Sequence, residues 1–406
     1  MIVFLIKLLI MLVVVSCSNH NNIDNITNRI EYLENNLIEF TSPAAMLNPD
    51  STQLANPKTL AERMNYYNTP GVSIAVINNR DIECTKGYGS MDIETVAPVT
   101  TETIFEAAST SKFVTAVLAL HFVQKGLIDL DRDINDYLVS WKVPENEYTQ
   151  VEKVTLRRLL THKAGLPTTN FSHDDDIGYP TLLNVLNGES PALNAPAIPE
   201  LVPGSQWQYS NVAYDVVQLL IEDISGKPFQ QNANEIIFKP LKMNNSTFTY
   251  PLDSKMKIFE AMPHDTEGNS LEPSMHLTAL AHGGLLTTPT DLAKFTKEIM
   301  LSYKDKSEKI LTQKMTKRLF TKEFDLDPRM FGIPISEGLG VLLIADDDDL
   351  VFAHPGSNLP GLNCWLIGWL ENGSAIIVMT NGAMGEVLAM EIITAFNNRY
   401  IDNTIQ

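Results

Sequence analysis

A serine and a lysine lie three residues apart at the start of an apolar stretch. Ser109 and Lys112 end the sequence Phe-Glu-Ala-Ala-Ser-Thr-Ser-Lys, which leads directly into the apolar residues 113–124. Because residues three apart share one face of a helix, the hydroxyl and the amine are expected to meet at a helix N-terminus. A serine hydroxyl becomes an effective nucleophile when a neighbouring base takes its proton, and a buried lysine amine can be that base. A capping serine beside a solvated lysine shows the same spacing, so the pair alone leaves both interpretations open.

A tyrosine and an asparagine form a second motif. Tyr209 and Asn211 lie at the end of the sequence Pro-Gly-Ser-Gln-Trp-Gln-Tyr-Ser-Asn, whose composition is typical of a loop. A phenol and an amide at this spacing can both point into one cleft. A turn with a half-buried tyrosine fits the tripeptide as well.

A third motif, His354-Pro355-Gly356-Ser357, follows the apolar residues 351–353, which we predict to be an edge strand. A glycine beside a reactive centre lets two backbones approach closely, and the N–H of Ser357 could donate to an oxyanion. The alternative is a simple turn at the end of a strand.

Taken in order, the three motifs resemble a known family. The chain resembles the serine β-lactamase and penicillin-binding-protein superfamily in having Ser-x-x-Lys near residue 110, Tyr-x-Asn near 210 and His-x-Gly near 354. Within that superfamily it is most similar to the group of class C β-lactamases and D-alanyl-D-alanine carboxypeptidases. The resemblance covers residues 56–400 and extends to further segments, at 70–76, 87–89, 159–166, 283–293 and 378–381.

The resemblance implies catalytic roles for three residues. Ser109 would attack an acyl carbon and form an acyl-enzyme, Lys112 would help to deprotonate it, and Tyr209 would act as general base or as a relay to the leaving group. The family needs no metal or organic cofactor, and the zinc signature His-Glu-x-x-His is absent from the sequence.

Substrate binding is implied for four other residues. Asn211 would position the substrate amide, and the N–H groups of Ser109 and Ser357 would form the oxyanion hole, with His354 and Gly356 on the same strand. β-Lactamases of this group usually carry Lys-Thr-Gly where this chain has His-Pro-Gly. A lysine offers a permanent charge to a substrate carboxylate, whereas histidine is largely neutral near pH 7. The His-x-Gly form therefore favours carboxypeptidase, esterase or amidase relatives.

Other reactive side chains are assigned structural roles. His162 and His282 are expected to stabilise turns or to make internal hydrogen bonds. In the family arrangement Cys84 and Cys364 lie on strands that are not neighbours, which predicts free buried thiols. The sequence has no Gly-x-Ser-x-Gly elbow, which excludes a Ser-His-Asp hydrolase of that type.

Strand patterns occur at both ends of the main body. Turns at Asn78-Asn79 and Asn372-Gly373 separate apolar runs, which predicts two hairpins that share one sheet. The resemblance implies an α/β fold of the α+β type, with an antiparallel five-stranded sheet flanked by helices, an all-α lobe, and the active-site cleft between them. We predict a hydrolase domain over 56–400, with a sheet lobe at 56–105 and 300–400 and a helical lobe at 106–299.

The N-terminus predicts export. Residues 1–16 are apolar with a single lysine, too short for a membrane span and typical of a secretory signal. The residues before Cys17 resemble a bacterial lipobox, so 1–17 is predicted to be a lipoprotein signal that ends at a lipidated Cys17. Plain cleavage that discards Cys17 is the alternative. We expect a lipid-anchored protein on the periplasmic face of the outer membrane, if the host has one.

Residues 18–55 are predicted to be a tether with a short amphipathic helix. Apolar residues recur there at spacings of three and four: Ile23, Ile26, Ile30, Leu33, Leu37 and Phe40. Such a stripe can join two chains, or it can pack on its own domain or fray in solvent. We expect a monomer.

Composition excludes several classes of function. The 406 residues include 30 Lys and Arg against 49 Asp and Glu, a net charge of −19 that argues against a nucleic-acid partner. Three cysteines exclude a disulfide scaffold.

Two functional hypotheses from different classes follow. The first is a serine hydrolase acting on D-amino-acid peptides, amides or small esters in the periplasm, with weak β-lactam hydrolysis. The partner of such a hydrolase would be its substrate, a small molecule or peptide with a carboxylate, amide or ester. The second is a catalytically idle, lipid-tethered protein that binds peptidoglycan stems or a protein partner.

Overall fold

The structure is a computed structural model that describes residues 16–17, 23–43, 56–169, 172, 176–273, 278–346, 349–358 and 361–401. Its strands are β1 (Ser16–Cys17), β2 (Gly71–Asn78), β3 (Asp81–Asp92), β4 (Ala97–Pro98), β5 (Phe105–Glu106), β6 (Leu286–Thr287), β7 (Phe324–Asp325), β8 (Ser336–Glu337), β9 (Leu342–Asp346), β10 (Asp349–Asn358), β11 (Leu362–Trp369) and β12 (Ser374–Thr380).

The α-helices are α1 (Ile23–Asn35), α2 (Leu60–Tyr66), α3 (Ser111–Gln124), α4 (Glu147–Val151), α5 (Leu156–Leu160), α6 (Leu182–Asn187), α7 (Asn211–Ser225), α8 (Phe229–Ala233), α9 (Lys239–Leu241), α10 (Pro289–Tyr303), α11 (Gln313–Leu319), α12 (Pro328–Phe331) and α13 (Gly385–Phe396). A short 3₁₀ turn, Ala108–Thr110, precedes α3.

One large antiparallel sheet organises the molecule, which confirms the predicted α/β class. Its strand order is β1-β3-β2-β12-β11-β10-β9-β8-β7, and β4 pairs with β3, so the sheet has ten strands where five were expected. The five strands of seven or more residues, β3, β2, β12, β11 and β10, form its centre. Most of the others are two-residue pairings of loop backbone at the edges, which leave no periodic pattern in the sequence.

Both predicted hairpins are present, and the first and last segments share the sheet through the pairing of β2 with β12. The β2–β3 turn has φ of 50° at Asn79 and 61° at Arg80, as a two-residue type I′ turn requires. The sequence pattern predicted this turn one residue too early. Gly373, with φ of 86°, lies in the turn between β11 and β12.

Helices cover both faces of the central strands. Along β2, Ile74 and Val76 belong to one core with α13, while Ala75 and Ile77 belong to the other with α10. This alternation follows from the two-residue period of a strand. Helix α10 packs on the sheet and straddles the boundary that was predicted near residue 300.

Helix α3 lies at the centre of the larger core. Eleven of its 14 residues are buried, because its surface is apolar on nearly every side. It packs against α7, α8 and α11, and its N-terminal turn lies against β10. The helix therefore holds the Ser-x-x-Lys motif where the helical part of the chain meets the sheet.

Helix α1 packs on the domain that follows it, inside the segment predicted to be a tether. Ile26, Ile30 and Leu33 are buried with residues of α2 and α13. Arg29 Nε also donates to Glu83 Oε1 on β3 at 3.0 Å. The apolar stripe is thus covered by its own chain, which is one of the alternatives that the sequence left open.

Of the predicted signal segment, residues 1–17, the first fifteen lie outside the described part of the chain. Cys17, the predicted lipidation site, is described by its backbone alone, which pairs with β3. Within the described ranges, no helix has both the length and the apolar character that a membrane span requires.

Candidate active site

Ser109, Lys112 and Tyr209 come together around one oxygen atom. Lys112 Nζ donates to Ser109 Oγ at 3.1 Å, and the hydroxyl of Tyr209 lies 2.9 Å from the same oxygen. Lys112 is fully buried, and its Nζ also donates to the carbonyl of His282 at 2.7 Å. The serine hydroxyl therefore lies within hydrogen-bond distance of a phenol and an amine, either of which can accept its proton once it is itself deprotonated.

The backbone before Ser109 is strained. Ala108 has φ of 46°, in the left-handed region that residues other than glycine rarely occupy. Such conformations cost about 1–3 kcal/mol and persist only where the surrounding structure enforces them. The strained turn places Ser109 at the N-terminal end of α3, where the helix dipole favours developing negative charge.

The His354–Ser357 motif lies directly beside this turn. Strand β9 pairs with β10 only as far as Ala353, so β11 is the only described strand that pairs with residues 354–358. A methyl group on Gly356 would lie 2.9 Å from the backbone nitrogen of Ser109, which shows how closely the two backbones approach. Residues 351–353 were predicted to be an edge strand, which is wrong because β9 covers them.

His354 is an uncharged histidine. Burial and the nearby charge of Lys112 lower its pKa to about 3, although a hydrogen bond with the carbonyl of Pro355 opposes the shift. Its Nδ1 lies 2.9 Å from that carbonyl oxygen. At neutral pH His354 therefore offers no positive charge to a substrate carboxylate.

His162 packs against Tyr209 and is not among the described residues that form a hydrogen bond with the Ser109 side chain. Their ring centroids are 4.3 Å apart with an interplanar angle of 35°, and Nδ1 of His162 accepts the N–H of Ser210 at 3.1 Å. Burial and the charge of Lys112 lower the pKa of His162 well below its usual value. A neutral imidazole in this place orients the tyrosine ring without carrying charge.

Asn211 and Ser357, two of the residues predicted to bind substrate, have different surroundings. Asn211 Nδ2 donates to the carbonyl of Thr169 at 3.0 Å, while its Oδ1 is buried and meets no donor among the described residues. Ser357 is exposed, and its hydroxyl donates to Asn363 Oδ1 at 2.8 Å. The oxygen of Asn211 is therefore a buried acceptor without a donor among the described residues.

The surroundings of His282, Cys84 and Cys364 indicate structural roles for these side chains. Nδ1 of His282 lies 2.7 Å from a carboxylate oxygen of Asp215, and both side chains are buried. Cys84 and Cys364 are buried and form no disulfide bond with each other, and their strands β3 and β11 are separated in the sheet by β2 and β12. Burial raises the pKa of Cys364 to about 12, which makes this thiol unreactive.

Glu106 is a polar residue of the site to which the sequence assigned no role. It is 2% exposed, and its Oε2 accepts a hydrogen bond from Asn358 Nδ2 at 2.6 Å. Burial raises its pKa to about 7; the charge of Glu260 adds to the shift and the Asn358 bond opposes it. The only sequence signal was a carboxylate within an apolar run, since acidic residues are seldom fully buried.

In the part of the chain that the structure describes, no group of three or more His, Cys, Asp or Glu side chains is placed to hold a metal ion.

The large antiparallel sheet with helices on both faces is a β-lactamase-type fold, and Ser109, Lys112 and Tyr209 meet at one point in it. Residues 57–393 match the family model Beta-lactamase, so the chain belongs to the beta-lactamase family. Two solved structures share the fold. The octameric penicillin-binding protein homologue from Pyrococcus abyssi has a TM-score of 0.68 at 23% identity, over 84% of this chain and 76% of that one. The D-alanine carboxypeptidase AmpC from Burkholderia cenocepacia has a TM-score of 0.62 at 20% identity, over 82% and 96%.

Two curated relatives match parts of the chain. Protein flp of Staphylococcus aureus (strain N315) is 26% identical over 247 residues, which are 60% of this chain and 48% of that protein. Unguisins hydrolase ungD' of Aspergillus campestris is 28% identical over 201 residues, 47% of this chain and 35% of that protein. The chain thus spans about half the length of the first of these relatives, and less of the second.

Proposed function

We propose that the protein is a serine hydrolase that forms an acyl-enzyme on Ser109. The observation that carries this proposal is that Lys112 Nζ and the Tyr209 hydroxyl both lie within hydrogen-bond distance of Ser109 Oγ, at 3.1 and 2.9 Å. A serine oxygen that contacts both a phenol and an amine, and that is held by a strained turn, has the geometry of an activated nucleophile.

The reaction follows from these positions. Ser109 Oγ forms a bond to the acyl carbon of the substrate, and its proton passes to Lys112 or Tyr209. The substrate oxygen becomes an oxyanion that the N–H groups of Ser109 and Ser357 stabilise, each donor contributing about 3 kcal/mol in comparable enzymes. The bond to the leaving group then breaks as Tyr209 or Lys112 returns the proton to it. Water, deprotonated by the same groups, releases the acid and regenerates Ser109.

The proposed substrates are D-amino-acid peptides, amides or small esters. A neutral His354, where related β-lactamases carry a lysine, supports substrates that do not depend on a charged carboxylate partner. The oxygen of Asn211, which has no donor among the described residues, supports a substrate with an N–H to donate. Similarity to a D-alanine carboxypeptidase supports a peptide bond as the point of attack, and similarity to an unguisins hydrolase supports hydrolysis. Weak β-lactam hydrolysis belongs to the same proposal.

The proposed location is the periplasmic face of the outer membrane, in a host that has one, through a lipid on Cys17. Support comes from the apolar residues 1–16 and the small polar residues that follow Cys17. Growth with a labelled fatty acid should label the wild-type protein and not a Cys17→Ala variant. Equal labelling of both would contradict lipidation at this residue.

A time course of intact mass tests the proposed chemistry. The chain without residues 1–17 is mixed with penicillin and, separately, with p-nitrophenyl acetate, and Ser109→Ala is treated in parallel. We expect an adduct or turnover with the wild type only. A long-lived penicillin adduct would indicate slow deacylation, as in a carboxypeptidase. Neither adduct nor turnover with either reagent would contradict the proposal and favour the idle binding protein.

A further inference from the structure

Two hydrogen bonds hold the end of β10 against the segment that carries the nucleophile, one on each side of Gly356. On one side, Thr110 Oγ1 donates to the carbonyl of His354 at 3.0 Å. On the other, Asn358 Nδ2 donates to Glu106 Oε2 at 2.6 Å. Because β9 does not extend this far, the bonds fix a stretch of strand that has β11 as its only described partner in the sheet.

Burial of the Glu106 carboxyl has a free-energy cost that packing alone does not explain. The side chain is 2% exposed, and its Oε1 is buried without a donor among the described residues. Burying a polar oxygen without a hydrogen bond is unfavourable, and an apolar side chain of similar size would avoid this cost. The neighbouring carboxyl of Glu260 does not compensate it, since its charge further raises the pKa of Glu106.

We propose that Glu106 is a positioning residue that, through Asn358, holds the end of β10 and with it the backbone N–H of Ser357 beside Ser109. The inference rests on the proposed function, in which that N–H donates to the oxyanion. Glu106 itself does not touch the reacting atoms. Its effect is geometric: displacement of an oxyanion donor by about 1 Å is enough to slow a reaction strongly.

The experiment measures kcat and KM for p-nitrophenyl acetate at pH 7, with thermal unfolding of every variant. We expect Glu106→Ala and Asn358→Ala each to lower kcat about tenfold, with KM within about twofold, because the lost alignment acts on the transition state. The double variant should be no slower than the slower single one, since both changes break the same bond. Glu106→Gln should keep kcat within about threefold of wild type, because its amide oxygen accepts the same bond.

Three results would overturn the proposal. The losses of the two alanine variants could multiply in the double variant, Glu106→Gln could be as slow as Glu106→Ala, or kcat could fall only in proportion to the folded fraction. If Glu106→Ala does not fold, Asn358→Ala and Glu106→Gln decide the question, since Asn358 is only partly buried at a strand end. A wild type without Ser109-dependent hydrolysis would instead contradict the proposed function, and this inference with it.

Discussion

A methyl group on Gly356 would lie 2.9 Å from the backbone nitrogen of Ser109, closer than side chains approach backbone atoms. The same methyl would lie 2.2 Å from the carbonyl oxygen of Ala107. Strand β10 can therefore lie against the serine-bearing turn only because residue 356 has no side chain. The glycine sets the distance between the two backbones that are proposed to form the oxyanion hole.

Gly356→Ala should consequently impair activity more than stability. We expect the strand to move away from the turn, which would lower kcat/KM for ester hydrolysis about 100-fold, as the loss of one oxyanion donor does. Overpacking should lower the free energy of unfolding by about 1–3 kcal/mol. Steady-state kinetics and urea unfolding measure the two effects.

Gly126→Ala is the matched control for this variant. Gly126 has φ of 72°, and a methyl group on it would meet no atom of the described residues within 4 Å. It should lose about 1 kcal/mol of stability through backbone strain and keep its activity. Equal kinetics for Gly356→Ala and wild type would contradict the close approach of the two backbones.

Tyr209→Phe should abolish most of the activity and leave the fold intact. The ring that packs on His162 is kept, while the hydroxyl 2.9 Å from Ser109 Oγ is removed. A general base contributes about 10²- to 10⁴-fold, so kcat should fall by that factor with little change in the unfolding midpoint.

Tyr137→Phe provides the comparison for the loss of a tyrosine hydroxyl. The hydroxyl of Tyr137 accepts the N–H of Asp129 at 2.9 Å in another part of the molecule. This variant should lose about 1 kcal/mol of stability at most and retain wild-type kcat. If Tyr209→Phe behaved in the same way, Lys112 alone would be the base.

The sequence predicted the elements that local patterns encode. Asn372-Gly373 marked the hairpin that joins β11 and β12, and the first two motifs marked the residues that meet around Ser109 Oγ. A turn needs particular residues at its own positions. The reactive residues were assigned through the family resemblance, because each motif alone left other interpretations open. These features can therefore be recognised from the sequence before the fold is known.

Contacts between distant parts of the chain were not predictable in the same way. Glu106 and Asn358 are 252 residues apart, and no local sequence pattern indicates that the two residues form a pair. The stripe on α1 likewise showed an apolar face without showing what would cover it. The surface that covers it is formed by α2 and α13, at opposite ends of the domain, and only the folded chain brings them together.

Stability should decrease in acid partly because His354 is buried and neutral. The pKa of His354 is about 3 in the folded state, against 6.5 for an ordinary histidine. Between these values the unfolded chain binds a proton that the folded chain does not, so stability is lost as pH falls below about 6.5. The loss approaches about 1.4 kcal/mol per pH unit.

Urea unfolding at pH 7, 6 and 5 measures this dependence. His354→Gln should show a shallower decline than wild type, because glutamine does not titrate. His121→Gln should change the slope less, since His121 is only partly buried and burial lowers its pKa to a smaller extent. Parallel curves for wild type and His354→Gln would show that His354 does not contribute to the acid sensitivity.

Helix α1 should stabilise the domain within a single chain. Leu33 is 3% exposed in the core shared with α2 and α13. Leu33→Ala removes buried methyl groups and should lower the free energy of unfolding by about 2–4 kcal/mol, whereas Glu31→Ala on the exposed face should change it by less than about 0.5 kcal/mol. Light scattering should give a monomeric mass for both variants and for wild type at all concentrations tested. A wild-type dimer that Leu33→Ala dissociates, with little change in unfolding free energy, would show instead that the stripe joins two chains.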